Sequence, residues 1–169
     1  RVDGMVQSML EHHVQQGFLP LWTAWGQETY CMIGNPALPV ISDAIIKGFK
    51  GFDHTAALQA MVETSTQPRL QAPEWAQRNW DLLNKYGYLP YDLEPNGEAV
   101  SKTLEHGYGD DAVARVAKLL EQNETALRFS KRAKGYQQLW DASTGVMRGK
   151  DSQGRWREPF NPDTPTSPL

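Results

Sequence analysis

The chain has 169 residues, 40% of them hydrophobic, and its 17 Lys plus Arg against 20 Asp plus Glu give a net charge of −3. This length fits one domain of about 100 to 200 residues with enough apolar side chains for a core. The scattered basic residues argue against a nucleic-acid partner, and no apolar run approaches the roughly 18 residues of a membrane span. The single cysteine, Cys31, excludes an intrachain disulfide and a zinc site built from cysteines alone.

The two ends of the sequence predict a piece of a longer protein. The chain starts without an initiator methionine and without the basic and then apolar pattern of a secretory signal. Near its other end Pro162, Pro165 and Pro168 predict an extended tail cut within a larger structure. We therefore expect a fragment or a processed chain.

The first half of the chain predicts helices separated by glycine and proline. In the first helix Val6, Leu10 and Val14 recur every four residues and form one apolar face, and Gly17 ends it. Asp53 is a plausible N-cap for the third helix, and the fourth has a proline at its start and a glycine after its end. The predicted helices cover residues 2–16, 39–50, 53–64 and 73–86.

Two further helices are predicted in the second half. Residues 98–122 mix apolar and small side chains on several sides, which predicts an inner helix. A helix starting with Asn123 as its cap has an apolar seam that continues to Trp140 with helical spacing. The seam consists of Ala126, Phe129, Ala133, Tyr136 and Trp140. The opposite face is polar and is expected on the outside of the fold; it carries Arg128, Lys131, Arg132, Lys134 and Gln137.

A short repeat and a turn motif complete the pattern. Residues 17–21 (Gly-Phe-Leu-Pro-Leu) and 87–91 (Gly-Tyr-Leu-Pro-Tyr) each follow a predicted helix. This similarity indicates stacked helical hairpins, although two ordinary glycine-terminated helices would also produce it. Residues 146–158 predict two short strands around an Asp-Ser-Gln-Gly turn. The expected fold class is all-α, with a short β-hairpin near the C-terminus.

Six tryptophans are the unusual feature of the composition. They are Trp22, Trp25, Trp75, Trp80, Trp140 and Trp156. An indole ring suits either a core or a surface that stacks against sugar rings. Because large aromatic side chains are mostly buried, core positions are the more common alternative.

Common catalytic motifs are missing from the sequence. It contains no glycine-rich phosphate loop, no Gly-x-Ser-x-Gly elbow and no His-x-x-x-His pair. His12 and His13 are adjacent on a helix and point about 100° apart, so they cannot bind one ion from one face. His54 and His106 have no His or Cys at ligand spacing. We expect His12 and His13 to be interfacial or solvent-facing, and we expect no metal-binding role for His54 and His106.

Carboxylates beside aromatic residues are the remaining candidates, and such pairs are typical of glycoside hydrolysis. They occur at residues 22–29, which end in Glu28 and Thr29, at residues 98–111 and at residues 156–158. Each has a structural alternative. Glu28 could cap the next helix, Glu105 could pair with Lys102, and the Arg-Glu pair at 157–158 could be a surface ion pair of little energetic value.

Three ordered blocks of sequence closely resemble glycoside hydrolase family 92 and span almost the whole chain. The first block comprises Leu19-Pro20-x-Trp22, Gly26-x-Glu28-Thr29-x-Cys31-Met32-Ile33-Gly34, Pro39-Val40-Ile41-x-Asp43-Ala44 and Lys47-Gly48. The second comprises Gly87-Tyr88-Leu89-Pro90, Val100-Ser101-Lys102-Thr103-Leu104-Glu105, Tyr108 and Asp110. The third comprises Ser143-Thr144-Gly145-x-Met147-Arg148-Gly149-Lys150-Asp151, Gly154 and Trp156-Arg157-Glu158-Pro159-Phe160.

The resemblance implies a bacterial, exo-acting, calcium-dependent, inverting α-mannosidase acting on glycans. The family combines an N-terminal β-sandwich with a C-terminal (α/α)6 toroid, and residues 1–169 would be a partial toroid segment with no complete second domain. The general acid and base would lie beyond Leu169, and the chain's main partner would be the remainder of its own polypeptide. The family also suggests a secreted or periplasmic protein. The calcium ligands cannot be assigned to residues of this chain.

The resemblance also suggests supporting roles. Trp22 and Trp25 would stack on or wall the sugar site, and Glu28 and Thr29 would hydrogen-bond sugar hydroxyls. Other residues would orient neighbouring groups or hold the structure, namely Glu105, Asp110, Arg157 and Glu158.

The sequence departs from the family at four positions: Gln27 stands for the usual Asn, Tyr30 for the usual Asp, and Gly109 and Asp111 for the usual Asp and aromatic. The change at Tyr30 puts affinity or linkage preference in doubt. A trehalase-like or glucoamylase-like (α/α)6 glycosidase and a non-catalytic helical carbohydrate-binding module remain as alternatives.

Overall fold

The computed structural model describes residues 1–69, 72–73, 79–94 and 97–163. Its helices are α1 (Val2–Gln16), α2 (Ala37–Ile46), α3 (His54–Thr64), α4 (Asn79–Tyr86), α5 (Ala99–Leu119), α6 (Asn123–Ala133) and a 3₁₀ helix (Gly135–Leu139). Two antiparallel pairs of two-residue strands join them: β1 (Thr23–Ala24) with β2 (Gln27–Glu28), and β3 (Trp140–Asp141) with β4 (Val146–Met147). The predicted start of the fourth helix at Pro73 cannot be compared, since residues 74–78 lie outside the described residues.

The predicted end of α1 at Gly17 and the predicted N-cap of α3 at Asp53 are confirmed. Gly17 follows α1 in the left-handed conformation with φ 81°, which glycine adopts without strain. Asp53 caps α3, and its side chain accepts hydrogen bonds from the N–H groups of Thr55 and Ala56. The apolar face of α1 is narrower than expected, because Val6 is buried while Val14 is 83% exposed.

Helices α2 and α5 form the inner pair. The predicted inner helix is confirmed, since α5 is buried on several sides by packing against α2, α3 and α6. A Cβ atom at Gly109 of α5 would lie 2.9 Å from Leu38 Cδ1 of α2, and one at Gly34 would lie 2.7 Å from Glu105 Cβ. From the contact between Gly34 and Glu105 to the contact between Leu38 and Gly109, the chain advances by four residues in both segments, so α2 and α5 run parallel. The loops that precede them therefore emerge at the same end of the fold.

The two five-residue repeats have the same local structure. Gly17 and Gly87 have φ values of 81° and 77°. The leucine at the third position of each repeat is fully buried. Its N–H donates to the hydroxyl of Thr64 (2.8 Å) in the first repeat and of Thr103 (3.0 Å) in the second. Each repeat leads into the loop before an inner helix, which favours stacked helical units over coincidence.

The predicted helix from Asn123 to Trp140 is wrong in its second half and in its cap. Asn123 is the first helical residue, and the preceding Gln122 makes no side-chain capping bond. The α-helix ends at Ala133, and the chain continues as a 3₁₀ helix and then β3, where Trp140 is 49% exposed. The cause is tertiary, because Gly135 packs directly against the carbonyl group of Gly87.

The predicted C-terminal β-hairpin also needs correction. A short antiparallel pair does lie near the C-terminus, but Val146–Met147 pairs with the preceding strand Trp140–Asp141. The Asp-Ser-Gln-Gly turn is present, and its flanks make only a single bridge between Lys150 and Trp156. The turn is held by Asp151, whose carboxylate accepts from the Arg155 N–H at 2.8 Å.

The contact between Gly135 and Gly87 generates a stability prediction. A Cβ atom at Gly135 would overlap the Gly87 carbonyl oxygen, so G135A should destabilise the full-length protein by about 1–3 kcal/mol, as overpacking does. The matched control is G4A in α1, where an added Cβ meets nothing within 4 Å and alanine favours the helix. Thermal unfolding should show a lower midpoint for G135A alone. Equal midpoints for the two variants would contradict the packing described.

Candidate functional site

The three sequence blocks meet at the end of the molecule where the inner helices begin. Gly34 of the first block lies against Glu105 of the second. The second block contacts the third through two hydrogen bonds, in which the Tyr88 hydroxyl donates to the Asp151 carbonyl (2.8 Å) and the Tyr91 N–H donates to the Lys150 carbonyl (3.0 Å). Segments that are far apart in sequence thus build one surface of loops.

Glu28 organises the β1–β2 hairpin. One carboxylate oxygen accepts from the N–H of Leu21 (2.7 Å), and the other accepts from the N–H groups of Thr29 (2.9 Å) and Tyr30 (3.0 Å). The Trp22 N–H lies 3.1 and 3.3 Å from the two oxygens. Charge-assisted bonds of this kind are strong and fix the loop. The alternative that Glu28 caps the next helix is wrong, since its acceptor positions are used within its own hairpin.

Thr29 also holds the hairpin closed. Its hydroxyl donates to the Trp22 carbonyl at 2.8 Å and lies 3.1 Å from Cys31 Sγ, and its N–H donates to the same Trp22 carbonyl at 3.2 Å. The predicted contacts of Glu28 and Thr29 with sugar hydroxyls stay predictions. The structure shows both side chains engaged in the internal bonds of the loop.

Trp22 and Trp25 differ in their surroundings. Trp22 is 57% exposed and forms one wall of a cavity of about 300 Å³. The other residues lining this cavity are Met9, Pro20, Leu21, Thr23, Pro36, Ala37 and Val40. Trp25 is 99% exposed at the hairpin tip, where it has a φ of 51° and Gly26 has a φ of 77°.

Core placement of the tryptophans is confirmed at one position only among those described. Trp80 is buried and packs against His106 with ring centroids 4.7 Å apart. Trp22, Trp25 and Trp140 are exposed, and Trp156 is half-buried. Trp75 lies outside the described residues. The exposed rings belong to short strands and turns rather than to helices.

Glu105 and its neighbours on α5 point in different directions. Glu105 is exposed beside Gly34 and forms no ion pair with the described residues. The predicted pairing of Glu105 with Lys102 is wrong. The buried ammonium of Lys102 instead contacts the carboxylates of Glu94 (2.7 Å) and Glu98 (3.6 Å).

Asp110 lies on the buried face of α5. It pairs with Arg132 at 2.9 Å, so the prediction that Arg132 lies on the outside of the fold is wrong. Burial raises the pKa of Asp110 to about 6, and the charge and hydrogen bond of Arg132 act in the opposite sense. This pair ties the inner helix α5 to the outer helix α6.

The guanidinium groups of Arg69 and Arg132 both lie near the buried Trp80 ring. The sequence alone did not predict this cationic cluster. Arg69 is buried with its guanidinium 5.1 Å from the Phe18 ring and 5.9 Å from the Trp80 ring, and burial lowers its pKa to about 10. Burial, reinforced by Arg69, Arg132 and Lys102, lowers the pKa of His106 from its ordinary 6.5 to about 3. His106 is therefore neutral at physiological pH. Arg69 lies in a loop after α3 and Arg132 lies among other basic residues of α6, so no local pattern marked either arginine as buried.

Arg148 is the central residue of the third block. Its guanidinium donates to Asp141 Oδ2 (3.0 Å), to the Arg157 carbonyl (2.6 Å) and to the Glu158 carboxylate. Hydrogen bonds from Ser143 and then from Arg148 lower the pKa of Asp141 to about 2. Glu158 thus pairs with Arg148, and the alternative of a pair between residues 157 and 158 is not observed.

Arg157 has a different contact. Its guanidinium lies 5.1 Å from the centre of the Tyr91 ring, which joins the third block to the second repeat. Its N–H also donates to the Gly149 carbonyl at 2.9 Å. The side chain therefore helps to hold the loops together at this end of the fold.

The described residues contain no group of three or more His, Cys, Asp or Glu side chains that could hold a metal ion. Within the same residues, no helix combines the length and apolar character needed to cross a membrane.

Comparison with known proteins gives consistent matches. A sequence profile described as the glycosyl hydrolase family 92 catalytic domain matches residues 1–168. The solved structure of the family GH92 α-mannosidase BT3965 from Bacteroides thetaiotaomicron, in complex with mannoimidazole, is 41% identical, with a TM-score of 0.82 over 95% of this chain and 20% of that chain. The family GH92 inverting mannosidase BT2199 from the same species is 32% identical, with a TM-score of 0.86 over 95% of this chain and 21% of that chain.

The chain thus spans about one fifth of the length of the solved structures it matches. A search of curated proteins found no match. The structural matches confirm the expected fold class, an all-α segment of an (α/α)6 toroid.

The buried histidine generates a pH prediction. Because the folded-state pKa of His106 is depressed to about 3, its contribution to stability is present above pH 6.5 and is lost as the pH falls toward 3. In this window wild-type protein should lose up to about 1.4 kcal/mol per pH unit relative to H106F, which keeps a ring against Trp80.

The measurement is the thermal midpoint of the full-length protein and the H106F variant between pH 7.5 and pH 4.5. Asp110 titrates in the opposite sense, since its raised pKa favours folding below about pH 4 and this contribution is lost as the pH rises through about 6. Both proteins retain Asp110, so their difference isolates the histidine. A constant difference across the pH range would contradict the buried, neutral state of His106.

Proposed function

The chain belongs to glycosyl hydrolase family 92, and we propose that it forms part of an exo-acting, inverting α-mannosidase that hydrolyses terminal α-mannosides of glycans. The observation that carries the proposal is the family match over residues 1–168, supported by 41% identity to a solved α-mannosidase bound to mannoimidazole. The trehalase-like and glucoamylase-like alternatives lose their basis, because those enzymes belong to other families.

The proposed reaction is a single displacement. One carboxylic acid protonates the departing glycosidic oxygen while a second carboxylate activates the water that attacks from the opposite face. The carboxylates of Glu28, Asp110, Asp141 and Asp151 are engaged in hydrogen bonds or ion pairs within the fold. As the resemblance to the family implies, we assign the acid and the base to the parts of the parent protein outside this chain.

The proposed role of this chain is to build and hold one side of the sugar site. Trp22 and Trp25 present aromatic surface on the β1–β2 hairpin, and Glu28 and Thr29 act by fixing the hairpin. Glu105 is exposed beside Gly34, in the segment between the hairpin and α2, and is available to orient a neighbouring polar group.

Three other side chains hold the helices and loops of the proposed site in place. Asp110 ties α5 to α6, Arg157 lies over Tyr91, and Glu158 completes the environment of Arg148.

Calcium belongs to the proposal through the family alone. Calcium prefers six to eight oxygen ligands, and the described residues do not gather such a set of acidic side chains. We therefore propose no residue of this chain as a calcium ligand. The remaining toroid and the β-sandwich are the proposed source of the ligands.

An activity assay of the full-length protein tests the proposal. It should release mannose from an aryl α-mannoside in the presence of calcium, and activity should fall when a chelator removes the ion and return when calcium is restored. An aryl α-glucoside serves as the matched control and should not be hydrolysed. Absence of mannose release with calcium present would overturn the proposed function.

A further inference from the structure

Trp25 occupies a position that ordinarily favours other residues. The register of β1 and β2 pairs Thr23 with Glu28 and Ala24 with Gln27, so Trp25 and Gly26 form a two-residue hairpin loop. Both have positive φ, 51° and 77°, as in the type I′ turn that favours Asn-Gly. A bulky side chain with positive φ is a conformational outlier, and such outliers concentrate at functional sites.

Packing within the described structure does not account for this tryptophan. Trp25 is 99% exposed, whereas Trp22 is 57% exposed and lines the cavity next to α2. Its near-complete exposure leaves both faces of the indole open within the described residues.

The support beneath Trp25 is preorganised. Glu28 accepts hydrogen bonds from backbone N–H groups on both sides of the hairpin, and Thr29 bonds twice to the Trp22 carbonyl. These bonds fix the backbone that carries Trp25, so a ligand that binds there does not have to order the loop. Gln27, at the neighbouring position, offers an amide that can donate to and accept from a hydroxyl.

We propose that the indole of Trp25 stacks on a sugar unit on the leaving-group side of the bond that is cleaved, so that this site selects α-mannosides whose aglycone is itself a sugar. This inference rests on the proposed function. An exo-acting site encloses the terminal sugar in a pocket lined with polar groups, whereas an open aromatic ring at a hairpin tip fits the exposed rim of that pocket. A pyranose ring has an apolar face that covers an indole, while its edge hydroxyls remain available to groups such as Gln27.

The test compares full-length wild-type protein with W25N on two substrates. Asparagine suits the turn, so the hairpin is preserved. The first substrate is an α-linked mannobiose, and the second is α-mannosyl fluoride, whose leaving group is too small to reach the tip. We expect W25N to lower kcat/KM for mannobiose by about fivefold to tenfold, mainly through KM. The value for α-mannosyl fluoride should fall by a smaller factor than the value for mannobiose.

A second variant and a stability measurement complete the design. W25F keeps an aromatic face and should recover part of the loss on mannobiose. Equal losses on both substrates together with a lower thermal midpoint would overturn the inference, since they would place Trp25 against another part of the parent chain. Unchanged kinetics of W25N on mannobiose would also overturn it. If wild-type protein hydrolyses neither substrate, the proposed function fails, and the premise of the inference fails with it.

Discussion

The parallel packing of α2 against α5 is the constraint on which the rest of the structure depends. Helix α5 is enclosed by α2, α3 and α6, and at Gly109 it approaches Leu38 so closely that a side chain would not fit. Because both inner helices point the same way, the loops that precede them must lie at one end. The third block of sequence then packs on the second of these loops through Tyr88 and Tyr91. This interhelical packing therefore brings the loops of the three blocks to the same end of the fold.

The fold separates residues that support the site from residues that remain open to a ligand. Buried charge lies below the loops, where Asp110 and Arg132 link two layers of helices and His106 stays neutral. Breaking such a pair on one side leaves an uncompensated charge, so its value is structural. The open groups, Trp25 and Glu105, lie on the loops and on the exposed side of α5. Carboxylates can thus be engaged within the fold while the loops leave open groups for the proposed sugar site.

Signals that act within a few residues were sufficient to predict much of the fold. The ends of α1 and α3 and the burial of α5 follow from local spacing, capping residues and glycine positions. The family was identified from the resemblance of three ordered blocks of sequence. Other features depended on contacts between distant segments. The helix after Asn123 has a continuous apolar seam, yet it breaks because Gly135 meets the backbone of Gly87. Glu28 was identified as a candidate site residue, but its bonds to four backbone N–H groups require the loop to be folded already.

We propose that this chain supports the sugar site of an inverting α-mannosidase. The anomer of the product tests the inverting displacement most directly. Proton NMR should be recorded during the first minutes of hydrolysis of an α-mannoside by the full-length protein, before mutarotation equilibrates the sugar. We expect β-mannose to accumulate first, since a single displacement inverts the anomeric centre. Initial release of α-mannose would contradict it, because that product requires a double displacement through a glycosyl-enzyme intermediate.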